Sequence, residues 1–168
     1  MENEVKNKIS QSGLITIDLE EFYPKGERVL FDIKDLLFHG LILREKDFRE
    51  YVNKEDWNKY RDKFVAINCS TDAVIPTWAY MLLAIQLEPL AKKVVFGNLE
   101  TLETIIYNEI LSKIKTEEYK DARIIIKGCG KLSVPKSAYV KITMLLRPFA
   151  KSIMYGEPCS TVPLYKRK

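Results

Sequence analysis

Apolar positions recur along this 168-residue chain in two rhythms, and the switches between them mark its elements. Short β-branched or aromatic runs at Val65–Asn68, Lys93–Phe96, Ile124–Lys127 and Lys151–Tyr155 read as buried strands. Between the first two, Pro76 opens an apolar stretch that continues to Leu90; Pro135 opens a matching stretch to about Arg147. Proline suits the first turn of a helix, where its missing N–H has no intrahelical partner. Pro89 and Pro148 fall late in each stretch, where a proline ends or kinks a helix. A third helix is predicted over Thr101–Lys115, with Leu102, Ile105, Ile106, Ile110, Leu111 and Ile114 at helical spacing.

The pattern is written twice. Residues 65–98 and 124–157 align with one gap, placing Cys69 on Cys129, Pro76 on Pro135, Ala79-Tyr80 on Ala138-Tyr139 and Gly97 on Gly156. Each copy is a strand–helix–strand unit, and the third helix joins them. That order implies an α/β fold: a mostly parallel sheet with right-handed crossovers and helices on both faces, built from a duplicated βαβ unit. Upstream, Leu14–Leu19 and Arg28–Ile33 read as strands of an edge ribbon or small subdomain, separated by the turn Pro24-Lys25-Gly26. Arg44–Tyr51 and Glu55–Tyr60 read as short polar helices. The chain is thus expected to be one domain, residues 1–168, with a β-rich N-terminal extension over 1–60 and an extended tail over 158–168.

Composition narrows the function classes. The apolar fraction of 46% suits a globular core, and a net charge of +4 with interspersed signs falls short of a nucleic-acid footprint. No run of 18 apolar residues suggests a membrane span, and the start MENEVKNKIS is too polar for a signal peptide, so a cytoplasmic location is expected. In that compartment thiols stay reduced, and three widely spaced cysteines make no disulfide framework. GxGxxG, Walker, HExxH and GxSxG signatures are all missing, so no enzyme template applies.

The cysteines carry the chemistry that remains. Cys69 and Cys129 follow the first and third repeat strands, and Cys159 follows the fourth. In one parallel sheet these ends share an edge, where open α/β sheets bind ligands. A strand order 2-1-3-4 would set Cys69 and Cys129 at the switch point, about 4.8 Å per strand apart. Small residues follow each cysteine (Ser70, Gly130, Ser160), which fits an accessible site. Three thiolates can hold a single zinc or iron ion, or an iron–sulfur cluster with one incomplete position. His39, Asp72 and Glu157 are candidate fourth ligands; Ser70 and Thr71 are candidate hydrogen-bond donors to thiolate or sulfide. His39, inside LLFHGLIL, reads as a core or packing histidine.

Two other classes stay open. A metal-free thiol enzyme or persulfide carrier needs a thiolate beside a cation, for which Lys127 or Lys131 would serve. An interaction scaffold would use the cysteines as small residues in tight turns and the many aromatics as interface.

The strings GLITIDLEEFYP, INCSTDAVIPTWAYMLLA, KKVVFGNLE and AKSIMYGEPCSTVPLYKRK resemble a bacterial family of domains of unknown function, over essentially the whole chain. The resemblance implies no activity. Its association with iron–sulfur assembly gene neighbourhoods implies an accessory role there, with iron–sulfur assembly proteins as partners, and favours Cys69, Cys129 and Cys159 as iron or sulfur ligands over zinc.

Overall fold

The computed structural model describes residues 13–128 and 130–168. Cys129 therefore lies outside the described residues. In chain order the elements are β1 (Leu14–Asp18), β2 (Arg28–Asp32), α1 (Glu45–Lys54), β3 (Phe64–Asn68), α2 (Thr77–Leu87) and β4 (Lys93–Phe96). They continue with α3 (Leu99–Leu111), β5 (Arg123–Lys127), α4 (Lys136–Leu146), β6 (Ser152–Glu157) and β7 (Ser160–Lys166). Single turns of 3-10 helix follow β1 and β2 and precede β3 and β5. The fold is mixed α/β. Among the described residues no helix is long and apolar enough to cross a membrane.

The strands form two sheets where the strand–helix alternation predicts one. One sheet has the order β1-β5-β6-β7, parallel except for the final hairpin; the other has the order β2-β3-β4, all parallel. The chain accordingly divides into two compact units. Pro24–Ile105 forms a continuous unit, and the residues up to Tyr23 join Ile106–Lys168 in a split unit. Both run through strand, 3-10 turn, helix, 3-10 turn, strand, helix and strand. The first two strands are no edge ribbon, since β1 and β2 never pair and each opens a parallel sheet of its own.

Alternation along the strands explains the packing. In the split unit Ile15 and Ile17, Ile124 and Ile126, and Ile153 turn one sheet face toward Tyr107 and Leu111 of α3 and Ala138, Ile142 and Leu146 of α4. In the continuous unit Phe31, Val65 and Ile67 meet Phe48 and Val52 of α1 and Ala79, Leu83 and Leu87 of α2. The helical triplets recur every four residues, the spacing that keeps one stripe facing the sheet. Each fully buried Leu or Ile here contributes roughly 1.5–3 kcal/mol of transfer free energy.

The predicted 2-1-3-4 order does not form; the strand orders are β1-β5-β6-β7 and β2-β3-β4. While Ala66 of β3 and Ile125 of β5, which alternate to the other face, are buried as well, each core cluster packs helices of its unit against one sheet face. The reason lies in strand order. The parallel strands are laid down progressively, β2 then β3 then β4, and successive right-handed crossovers in one direction put their helices on the same face.

Candidate functional site

The carboxyl ends of the parallel strands carry the predicted site residues, and each unit has its own such edge. In the continuous unit Asp32, last in β2, sits beside Asn68, last in β3. The Asp32 carboxylate accepts the Lys34 N–H at 3.1 Å, capping the 3-10 turn, and accepts both the Ser70 N–H at 3.0 Å and the Ser70 hydroxyl at 2.6 Å. Burial tends to raise the Asp32 pKa, but the Ser70 hydrogen bonds, with help from Lys34, outweigh it and hold the carboxyl below the usual aspartate value. Ser70 is thus committed to fastening its loop. Cys69 is half-buried, its Sγ 3.3 Å from Thr71 Oγ1, while Asp72 is exposed. Buried surroundings push the Tyr80 hydroxyl up, with a further push from the nearby Cys69.

Strand register matches the two units without the gap that sets Cys69 on Cys129. Asp18 and Asp32 end the first strands and cap identical turns, with Asp18 accepting the Glu20 N–H at 3.0 Å. Asp18 pairs with Lys127 as Asp32 pairs with Asn68. Counted on from these pairs without a gap, Cys69 falls at the position of Gly128 and Ser70 at that of Cys129. Ring contacts agree: Tyr80 meets Phe96 edge-on at 5.1 Å, and Tyr139 meets Tyr155 edge-on at 5.9 Å. A Cβ on Gly128 would come within 2.8 Å of the Tyr139 hydroxyl, so the space a cysteine fills in one unit is closed in the other.

The split unit holds the remaining candidates. Lys127 Nζ lies 3.3 Å from Asp18 and 3.5 Å from Glu157, a row of alternating charges across three adjacent strand ends. The hydrogen bond to Asp18, with the charges of Asp18 and Glu157, pushes the Lys127 pKa up. Glu157, predicted as a ligand, is engaged with this lysine. Cys159 is exposed in the turn joining β6 to β7. The tail is extended as expected and adds to the sheet as an antiparallel strand. Cys69 and Cys159 thus follow strands of different sheets, whereas β5 and β6, which lead to Cys129 and Cys159, are neighbours. Among the described residues no three His, Cys, Asp or Glu side chains come together as a metal would require. His39 stands exposed in a tight turn at φ 50°, its ring 4.0 Å from that of Phe38 and away from the core.

The feature that sequence reasoning missed is a cavity of about 610 Å³ at this same carboxyl edge. Its wall is formed by Ile126 of β5, the loop residues Gly128, Gly130, Leu132, Ser133 and Val134, Lys136, Tyr139 and Thr143 of α4, Tyr155 of β6 and Leu164 of β7. Thr143 turns its hydroxyl back to the Tyr139 carbonyl at 2.7 Å, presenting its methyl group as the free part of the side chain. The loop is pinned from outside. One Glu20 carboxylate oxygen accepts the Gly130 N–H at 2.6 Å and the Leu132 N–H at 3.2 Å. The signals for this cavity were two glycines around Cys129 and an acid just after β1, too sparse to read without knowing that β1 and β5 pair. A second hollow of about 690 Å³ lies at the amino ends of the same strands, among Arg123, Asp121, Lys151 and Lys166.

A family model matches residues 3–167, nearly the full length. The chain belongs to the family described as "Protein of unknown function (DUF2480)". No curated protein and no solved structure matches it. The DUF2480 description names no reaction, which leaves the chemistry to the two carboxyl edges.

Proposed function

We propose that this chain is a binding protein for a small, largely apolar molecule, taken up in the cavity at the carboxyl edge of the split unit's sheet. The observation that carries this reading is the cavity itself. Its volume of about 610 Å³ falls within the roughly 300–1,000 Å³ of small-molecule sites. Ile126, Leu132, Val134, Leu164 and two tyrosine rings line it, with a few polar groups to orient a guest. Its place beyond strand carboxyl ends is where parallel sheets take ligands. The matching caps, ring pairs and registers of the two units support a duplication of the whole unit, in which only one copy is proposed to bind.

Nile red, a neutral apolar dye, tests the reading by fluorescence titration of the full chain. Leu164→Glu changes a side chain more than half exposed, so folding is retained. Replacing an apolar wall by a charge should weaken dye binding by about tenfold, or ~1.4 kcal/mol. Equal dye binding by native and Leu164→Glu chains, or none by either, would overturn the proposal.

A second reading is favoured by strand placement. The strands that lead to Cys129 and Cys159 are parallel neighbours, and their last residues, Lys127 and Glu157, form an ion pair. In this reading the thiols hold a single iron or zinc ion or an iron–sulfur cluster. The chain then serves in the cytoplasm as an accessory factor of sulfur metabolism, next to iron–sulfur assembly proteins.

A further inference from the structure

We infer that the guest of the cavity is an amphipathic carboxylic acid, its anionic end at Lys136 and its apolar body along Ile126, Val134 and Leu164. The inference rests on the binding reading above and assigns the ligand's class. The wall combines apolar side chains with a few polar ones. Ser133 and Lys136, three residues apart at the amino end of α4, both line the cavity, and neither has a hydrogen-bond or ion-pair partner among the described residues. The aliphatic part of the wall is Ile126, Leu132, Val134 and Leu164.

Lys136 is the first residue of an eleven-residue helix whose N-cap, Pro135, makes no side-chain capping bond. The positive end of that helix adds to the ammonium in favouring an anion. Nearby cations differ from Lys136. Lys127 is matched by Asp18 and Glu157, and Lys131, though exposed in the same loop, is not part of the wall. Among the described residues Lys136 is the one cation in the wall, and a single ammonium favours a monoanion over a phosphate ester, which carries nearly two charges. The same loop already demonstrates an affinity for carboxylate, since its Gly130 and Leu132 N–H groups are taken by Glu20. Those donors are satisfied internally, which leaves the Lys136 end for the guest. The matching position in the other unit is Thr77, without charge.

Competition against bound Nile red by decanoate and by 1-decanol, at pH 8 on the full chain, tests the assignment. The native chain should take decanoate about fivefold more tightly than decanol, as expected for one solvent-exposed ion pair. Lys136→Met, at an exposed position, should bring decanoate to the level of decanol and leave decanol unchanged. Equal displacement by the two in the native chain overturns the acid assignment while the cavity reading stands. A preference for decanoate that survives in Lys136→Met overturns the role of Lys136. Failure of both compounds to displace bound dye overturns the assignment too, and failure of the dye to bind at all removes the cavity reading beneath it.

Discussion

At the scale of single residues, the two units show one aspartate doing two jobs. Asp18 and Asp32 end equivalent strands and cap equivalent turns, yet Asp18 spends its second oxygen on Lys127 while Asp32 holds Ser70. Asp32 has a side chain only 11% exposed, and its hydrogen bonds keep its pKa below the ordinary aspartate value. A depressed folded-state pKa stabilises the fold above the unfolded value, and that stability drains away as pH falls through the folded value. Asp32→Asn should therefore cost about 1–2 kcal/mol at pH 7, through a lost charge-assisted bond and a weaker cap. The difference between native and variant should shrink from pH 7 toward pH 2, as the native carboxyl takes up its proton on the way through its folded-state value. Urea unfolding at both pH values measures it, and a gap that is constant with pH would contradict the assignment. Sequence reading placed Ser70 beside a thiol because they are adjacent in the chain. Its true partner is 38 residues upstream, on a strand whose pairing no local pattern records.

At the scale of elements, the strands and helices were legible because their rhythms are local. All four repeat strands and the three apolar helices fall within a few residues of their predicted places. Pairing was not legible. A buried parallel strand such as RIIIK, at Arg123–Lys127, is apolar on both faces, so its sequence fits beside any neighbour. The 128–134 loop shows what pairing decides. Glu20 reaches it only because β1 lies against β5, and Gly130 fits only because a Cβ there would sit 2.7 Å from the Glu20 carboxylate. Glu20→Gln should retain one weak bond, and Gly130→Ala should push the carboxylate away. Each should raise hydrogen exchange at the Gly130 and Leu132 amides by about tenfold or more, since bonds to charged groups contribute roughly 1.5–3 kcal/mol. Because both changes break one clamp, their combination should exceed either by little. Additive exchange in the double variant would show that the clamp is not a unit.

At the scale of the whole molecule, two sheets reassign the three cysteines. A shared thiol site was an inference from one sheet in which Cys69 and Cys129 flank a switch point. Two progressive sheets have no such point, and they leave Cys69 on one edge while the strands before Cys129 and Cys159 adjoin on the other. Cys69 is moreover the half-buried thiol, its Sγ 3.3 Å from Thr71 Oγ1. That environment is the one expected of a packing residue in the place that Gly128 occupies in the other unit. The thiol reading then makes an unequal prediction for the three serine variants. Chains purified anaerobically should carry iron or zinc in stoichiometric amount if that reading is right. Cys69→Ser should retain the metal, whereas Cys129→Ser and Cys159→Ser should each lose most of it, because thiolate ligands dominate affinity for soft metals. Metal analysis with a visible spectrum separates the cases, since a cluster adds sulfide-to-iron absorption that zinc lacks. Equal loss in all three variants would restore the three-cysteine site and require Cys69 at the other unit's edge. Metal-free native chains with one fast-alkylating thiol would instead assign the edge to sulfur transfer, with Lys127 as the neighbouring cation. Whichever result emerges, the binding cavity is tested separately by its own dye, and its wall includes Gly128 and Gly130, the residues on either side of Cys129. A guest that slowed alkylation at Cys129 and left Cys69 unaffected would join the two readings into one site.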